Sequence, residues 1–484
     1  MRSRLAVVTF LTVLPLAYAA RPAKHAGAAA TSEQNTSTLD DRVDLALTVY
    51  NADLALVRDV RNVHLPAGSF DLRFMDVAAT VEPATVHFRS LTDPSRLDVV
   101  EQNYEYDLLE PDKLLRKYVG RDVTLVRTRT DNGTTREEEV DARLLSYNNG
   151  PVWRIGNEIV TGMHADSFRF PELPDNLYTH PTLIWTLQNS GASSHRVETS
   201  YLARKLGWNA DYVLTVGRDD RAADLDGWVT LTNGSGTSFT NAKLQLVAGD
   251  LNIVKQAIER VQVAAESVMA AKAPMAQETF SEYHLYTLDR KTSINNQETK
   301  QVSMLSGTNV PVRKRYVVEG QQWYYHNGRH PGAPIKDVVQ VFYQLRNDER
   351  SGLGMPMPAG TIRVYQSDSR GGVQFAGDDR IQHTPKDEVV NLKIGNAFDV
   401  VCERKQTDFR QISSSVLEFE YEIVLRNHKT IPITVEVNEP IGGTWRILQS
   451  SYEWKKTEAW AAQFVVPVAV DGTSVLKYRT RVSY

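Results

Sequence analysis

The sequence predicts a mainly β protein of tandem β-sandwich (Ig-like) domains, with a small SH3-like or Sm-like barrel and one or two short helices. Three observations predict it. Apolar and polar residues alternate with a period of two in many short runs, Gly, Asn, Asp and Pro clusters separate those runs, and helix-forming character is confined to two stretches.

The 484-residue chain opens with Arg2 and Arg4, an apolar run from Leu5 to Tyr18 and the tripeptide Ala17-Tyr18-Ala19. A basic head, a short apolar body and a small-residue exit make a secretory signal peptide, residues 1–19, cut after Ala19. The run contains Pro15 and is shorter than the roughly 20 residues a bilayer span needs, so no integral membrane segment is expected after processing. No cysteine stands near the cut to carry a lipid. The expected place is therefore outside the cytoplasm, in the periplasm or at the cell surface.

Processing removes two arginines and no acid from a chain of formal charge −4. That balance excludes an electrostatic nucleic-acid partner. The single cysteine, Cys402, lies in an apolar-flanked stretch, where a buried reduced thiol is expected. A chain without disulfides holds itself together by ordinary cores, and this one is long enough for several.

Residues 20–40 are rich in Ala, Ser and Thr and read as a flexible leader. Residues 43–50 alternate as a half-buried strand, residues 54–63 give a second extended run, and a turn at 65–69 precedes a third at 70–74. The unit 41–105 is therefore expected as an N-terminal β-sandwich. Within 106–165, Pro111 opens a helix that Gly120 stops. Short strands and Asn-Gly turns follow, which suggests the small barrel.

Residues 166–484 read as a tandem sandwich region. Four segments, 185–189, 229–233, 343–347 and 423–427, share an apolar-x-Leu-x-Asn signature. Each is expected to be a strand ended by an asparagine, which tolerates the left-handed conformation and bonds a downstream amide. Between 250 and 277 Ala, Gln, Val and Glu dominate, which reads as an insertion, a marginal helix or a mobile loop. Residues 476–484 alternate as a closing strand.

Motifs for chemistry are sparse. Asn233-Gly234-Ser235-Gly236 lacks the first glycine of a nucleophile elbow and falls in a turn. His326 and His330 have the spacing of two zinc ligands on a helix, but Asn327-Gly328 between them is a hairpin signal, so neither a metal nor a cofactor is expected. Asp211 and Asp250 are the acids to examine for catalysis, because apolar or small neighbours could desolvate them and raise their pKa. Trp323, Tyr324 and Tyr325 are the ligand-binding candidates. Consecutive aromatics on a strand point to both faces, and exposed aromatic faces stack on sugar rings.

The runs 101–109 (EQNYEYDLL), 227–233 (GWVTLTN), 248–250 (AGD), 283–288 (YHLYTL), 357–365 (MPAGTIRVY) and 395–400 (GNAFDV) resemble those of the bacterial domain-of-unknown-function 4139 family, related to the mucoidy inhibitor A proteins. The resemblance covers nearly all of the mature chain. It implies an exported all-β protein and supplies no catalytic residue. The function expected is that of a binding or scaffold protein of the bacterial envelope, with an envelope protein or a glycan as partner. The alternative is a glycan-acting hydrolase with a carboxylate pair.

Overall fold

The computed structural model describes residues 35–484, apart from 106–108, 132–133, 175–176, 250–274, 281–282, 327–333 and 369. The expected signal peptide, Asp250, His330 and most of the 250–277 insertion lie outside the described residues. The end of that insertion is a strand, Met275–Phe280, paired with Tyr283–Leu288.

The fold is almost wholly β, with one α-helix, Pro111–Lys117, among the described residues. Where the sequence alternates, strands form. Arg42–Tyr50 buries Leu45, Leu47 and Val49 and turns the residues between them outward. The side-chain period of two thus assigns one face to the core.

The first sandwich is not local in sequence. One sheet places Gly68–Met75 beside Thr182–Asn189, which in turn pairs with Leu97–Glu105. The facing sheet sets Leu54–His64 between Arg42–Tyr50 and Ser194–Arg204, and Phe239–Ala248 joins parallel to Arg42–Tyr50. The sandwich expected over 41–105 therefore draws strands from beyond residue 165. The small domain is inserted between two strands of one of its sheets.

That small domain has its own core of Leu115, Tyr118, Leu125, Leu144 and Trp153. It is not a closed barrel. Its five strands run from Glu158–Thr161 at one edge to Ser167–Arg169 at the other, and those two edges do not pair. The last strand is only three residues long, too short to complete a ring of hydrogen bonds.

The leader also ends earlier than expected. Thr36–Ser37 pairs parallel with Gly68–Met75. Arg61, fully buried, donates from Nη1 to the Ser37 carbonyl at 3.1 Å and from Nη2 to Asp59 at 2.9 Å. A buried guanidinium needs such acceptors, and the N-terminal segment supplies one.

One strand, Glu298–Glu319, joins the large core to the C-terminal one. Its first half pairs with Ala222–Asn233, and its second half pairs with Val339–Arg346 and Ile433–Pro440. The C-terminal sandwich faces this sheet with a second, in which Val400–Gln411, Val416–Asn427, Gly472–Ser483 and Thr444–Ser450 follow in that order. Its core includes Phe419, Tyr421, Val435, Phe464 and Tyr478.

The four signature asparagines do share one role, but none adopts a positive φ. All four are buried: Asn189 at 2% exposure, and Asn233, Asn347 and Asn427 at 0%. Each side chain ties a loop to its sheet. Asn189 Oδ1 accepts from Gly191 N at 2.9 Å, Asn233 Oδ1 from Ser235 N at 3.0 Å and Asn427 Oδ1 from Lys429 N at 3.0 Å. Asn347 reaches further, to Gly354 N at 3.1 Å. The amide nitrogens donate to two or three backbone carbonyls each, which satisfies loop groups that water cannot reach.

Candidate functional site

Asp211 lies on the strand Leu206–Val216. Its neighbours Ala210 and Tyr212 are buried, but in a strand adjacent side chains point to opposite faces, so they do not desolvate it. Its Oδ2 accepts from Thr230 Oγ1 at 2.7 Å and its Oδ1 pairs with Arg363 Nη1 at 3.0 Å. Both oxygens are held in a cross-strand polar row.

The three aromatics do not form a strand. Gln322–Tyr325 is a 3-10 helix, so successive side chains fan out at about 120°. Trp323 stays 44% exposed, whereas Tyr324 and Tyr325 turn inward. They close a buried ionic cluster. Arg404 contacts Asp337 and Glu439 at 2.7 Å each, and Tyr324 donates to Asp337 at 3.2 Å. The Tyr325 hydroxyl donates to Glu439 at 2.5 Å and meets the Tyr478 hydroxyl at 2.7 Å. Arg404 and Glu439 are wholly buried.

Burial alone would lower the Arg404 pKa, but Glu439, Tyr478 and Asp337 raise it well above the ordinary value. Burial, with Glu439 beside them, holds the Tyr325 and Tyr478 hydroxyls far above theirs. Gly320 is required here, because a Cβ at that position would lie 2.6 Å from Glu439 Oε2. No member of the Arg404–Glu439 pair is open to a ligand. The cluster clamps the two sheets of the C-terminal sandwich together.

A different place combines aromatic surface with free polar groups. The strand Thr444–Ser450 edges one sheet, and Trp454–Glu458 edges the other. The turn between them crosses the open side of the sandwich. Trp445 is 9% exposed, its Nε1 donates to the Ala459 carbonyl at 2.9 Å, and its ring lies 5.8 Å from that of Trp454. Lys456 Nζ sits 4.9 Å above the Trp445 ring. Trp454 remains 40% exposed.

The backbone of this corner is well fixed. Ser450 Oγ donates to the Tyr452 carbonyl at 2.6 Å, and Ser451 N donates to the Lys477 carbonyl at 2.9 Å. Residues 447–454 line a shallow, open depression of about 350 Å³. Among the described residues, the Gln449 amide, the Tyr452 hydroxyl, the Glu453 carboxylate and the Trp454 indole N–H have no hydrogen-bond partner. On the nearby sheets, by contrast, polar groups engage one another, as in Arg315 with Glu436 and Arg481 with Glu418.

Both edge strands carry a bulge, at Ile447/Gln449 and at Lys456/Glu458. Bulges and edge lysines discourage the addition of a further strand. The corner therefore offers side chains rather than backbone to a partner. Sequence reasoning missed it. The available signal was composition, since three of the eight tryptophans fall at 445, 454 and 460.

No family model matches the chain, and no curated protein matches it.

Proposed function

We propose that the chain is exported to the bacterial envelope and acts there as a non-catalytic binding protein, with the corner at 447–454 as its ligand-facing surface. Export rests on the basic head, apolar run and Ala17-Tyr18-Ala19 exit of residues 1–19. Membership of the domain-of-unknown-function 4139 family belongs to the same proposal and rests on the sequence runs given above.

One observation carries the binding role. Half-exposed Trp454, its own indole N–H unengaged, stands beside three more polar groups, on Gln449, Tyr452 and Glu453, that no described residue engages, over a fixed turn. An aromatic face ringed by unspent donors and acceptors is the composition of a recognition surface.

The test is a pull-down from an envelope fraction with residues 20–484 as bait, compared with a Gln449→Ala/Glu453→Ala/Trp454→Ala variant. Retention of an envelope component by the first and its loss by the second is expected. Equal retention by both removes the corner from the reading. Release of new reducing ends from envelope glycan during the incubation would favour the hydrolase instead.

A further inference from the structure

We propose that the depression at 447–454 is a saccharide subsite, taking a pyranose ring against the exposed face of Trp454. The inference rests on the binding role above and names its ligand class.

A flat aromatic surface and a mixed polar rim select a sugar over other ligands. A pyranose has an apolar face of axial C–H groups and a rim of hydroxyls, so it needs one flat aromatic surface bordered by mixed donors and acceptors. Trp454 supplies the surface, and its ring is tilted 54° to Trp445, which fixes it from behind. Glu453 supplies an acceptor, the Trp454 indole a donor, and Gln449 and Tyr452 supply both.

Size and openness agree. A volume of about 350 Å³ is at the lower end of the roughly 300–1,000 Å³ of small-molecule sites, and suits one or two sugar rings. The depression is open, so a longer chain can pass through without a free end. The blunted strand edges argue against a peptide added by backbone pairing. The charges beside the depression, Glu453, Lys455, Lys456 and Glu458, are mixed in sign, which suits a neutral ligand better than a polyanion.

Rigidity also favours binding. The turn is tied to the neighbouring strand by Ser451 Oγ, which donates to the Val475 carbonyl at 3.3 Å and accepts from Lys477 N at 2.9 Å. A ligand then pays little for ordering the surface it meets.

The experiment is saturation-transfer NMR on residues 20–484 with cellobiose, maltose and N,N′-diacetylchitobiose as probes, repeated with polysaccharide from the envelope fraction. Transfer to at least one probe is expected. Trp454→Ala should weaken that binding by about tenfold or more, whereas Trp454→Phe should keep part of it. Glu453→Ala provides a second variant on an exposed side chain, where folding is not at stake. Trp228→Ala, four strands away from Trp454–Glu458 along the same sheet, should leave transfer unchanged.

Absence of transfer to every probe and to the polysaccharide overturns the saccharide assignment, and so does transfer that Trp454→Ala leaves intact. If the pull-down still retains a Trp454-dependent protein, the binding role survives without the sugar. If it retains nothing, both fall.

Discussion

Removing one buried asparagine should loosen a whole corner of the large core. Asn233 donates from Nδ2 to the carbonyls of Thr237, Ile294 and Asn295 at 2.9, 3.3 and 3.0 Å, and accepts at Oδ1 from Ser235 N and Oγ at 3.0 and 2.7 Å. In Asn233→Ala the Ser235 N–H loses its acceptor, and the Thr237 carbonyl loses its best donor. Each orphaned buried group costs about 1–3 kcal/mol, so a loss of about 3 kcal/mol is a fair central value.

Native-state hydrogen exchange over Leu206–Val216 and Ala222–Asn233 reads this locally, which matters because a chain with several cores need not unfold in one step. Exchange there should accelerate roughly a hundredfold. Asn233→Asp, which keeps the shape but places a negative charge among three carbonyls, should be at least as damaging. Asn62→Ala, exposed on its strand, should change exchange by less than about threefold. A similarly small effect for Asn233→Ala would refute the reasoning.

Glu439→Gln leaves the buried Arg404 without its full counter-charge and should lower stability by about 3–5 kcal/mol in urea unfolding followed by tyrosine absorbance. Joint replacement that removes every charge of the cluster, Arg404→Met with Glu439→Leu and Asp337→Asn, should recover much of that loss. Cys402 is 1% exposed, and burial pushes its thiol up to about 12, so it should resist alkylation at pH 8 until the chain is unfolded. At Glu436, burial acts to raise the carboxyl, but Arg315, Arg313 and Lys455 outweigh it and hold the pKa below the ordinary 4.5. A depressed carboxylate stabilises the fold above its unfolded pKa, and that contribution disappears as pH falls through the folded value. Thermal melts of Glu436→Gln should therefore be less stable than the parent at neutral pH and converge with it in acid.

Much of the local architecture was legible in the sequence, because alternation and turn residues act within a few positions. The strand Arg42–Tyr50, the helix Pro111–Lys117 and the four asparagine signatures were all visible that way. Alternation reports which face is buried but not which strand is the neighbour. The pairing of Gly68–Met75 with Thr182–Asn189, and of Arg42–Tyr50 with Phe239–Ala248, depends on shapes that meet only after folding.

The site was harder to read for related reasons. Asp211 drew notice for neighbours that turn out to face the other way. Tyr324 and Tyr325 were legible as aromatics, but the buried charges of Arg404 and Glu439, which draw them inward, come from strands far along the chain. The corner around Trp454 needs two sheet edges to converge, and a linear pattern carries no mark of that.

The binding role is tested most directly by hydrogen exchange of residues 20–484, measured with and without the envelope fraction. Slowed exchange confined to Thr444–Ser450, Trp454–Glu458 and the turn between them is the predicted result. Unchanged exchange at that corner, with protection elsewhere or nowhere, contradicts it.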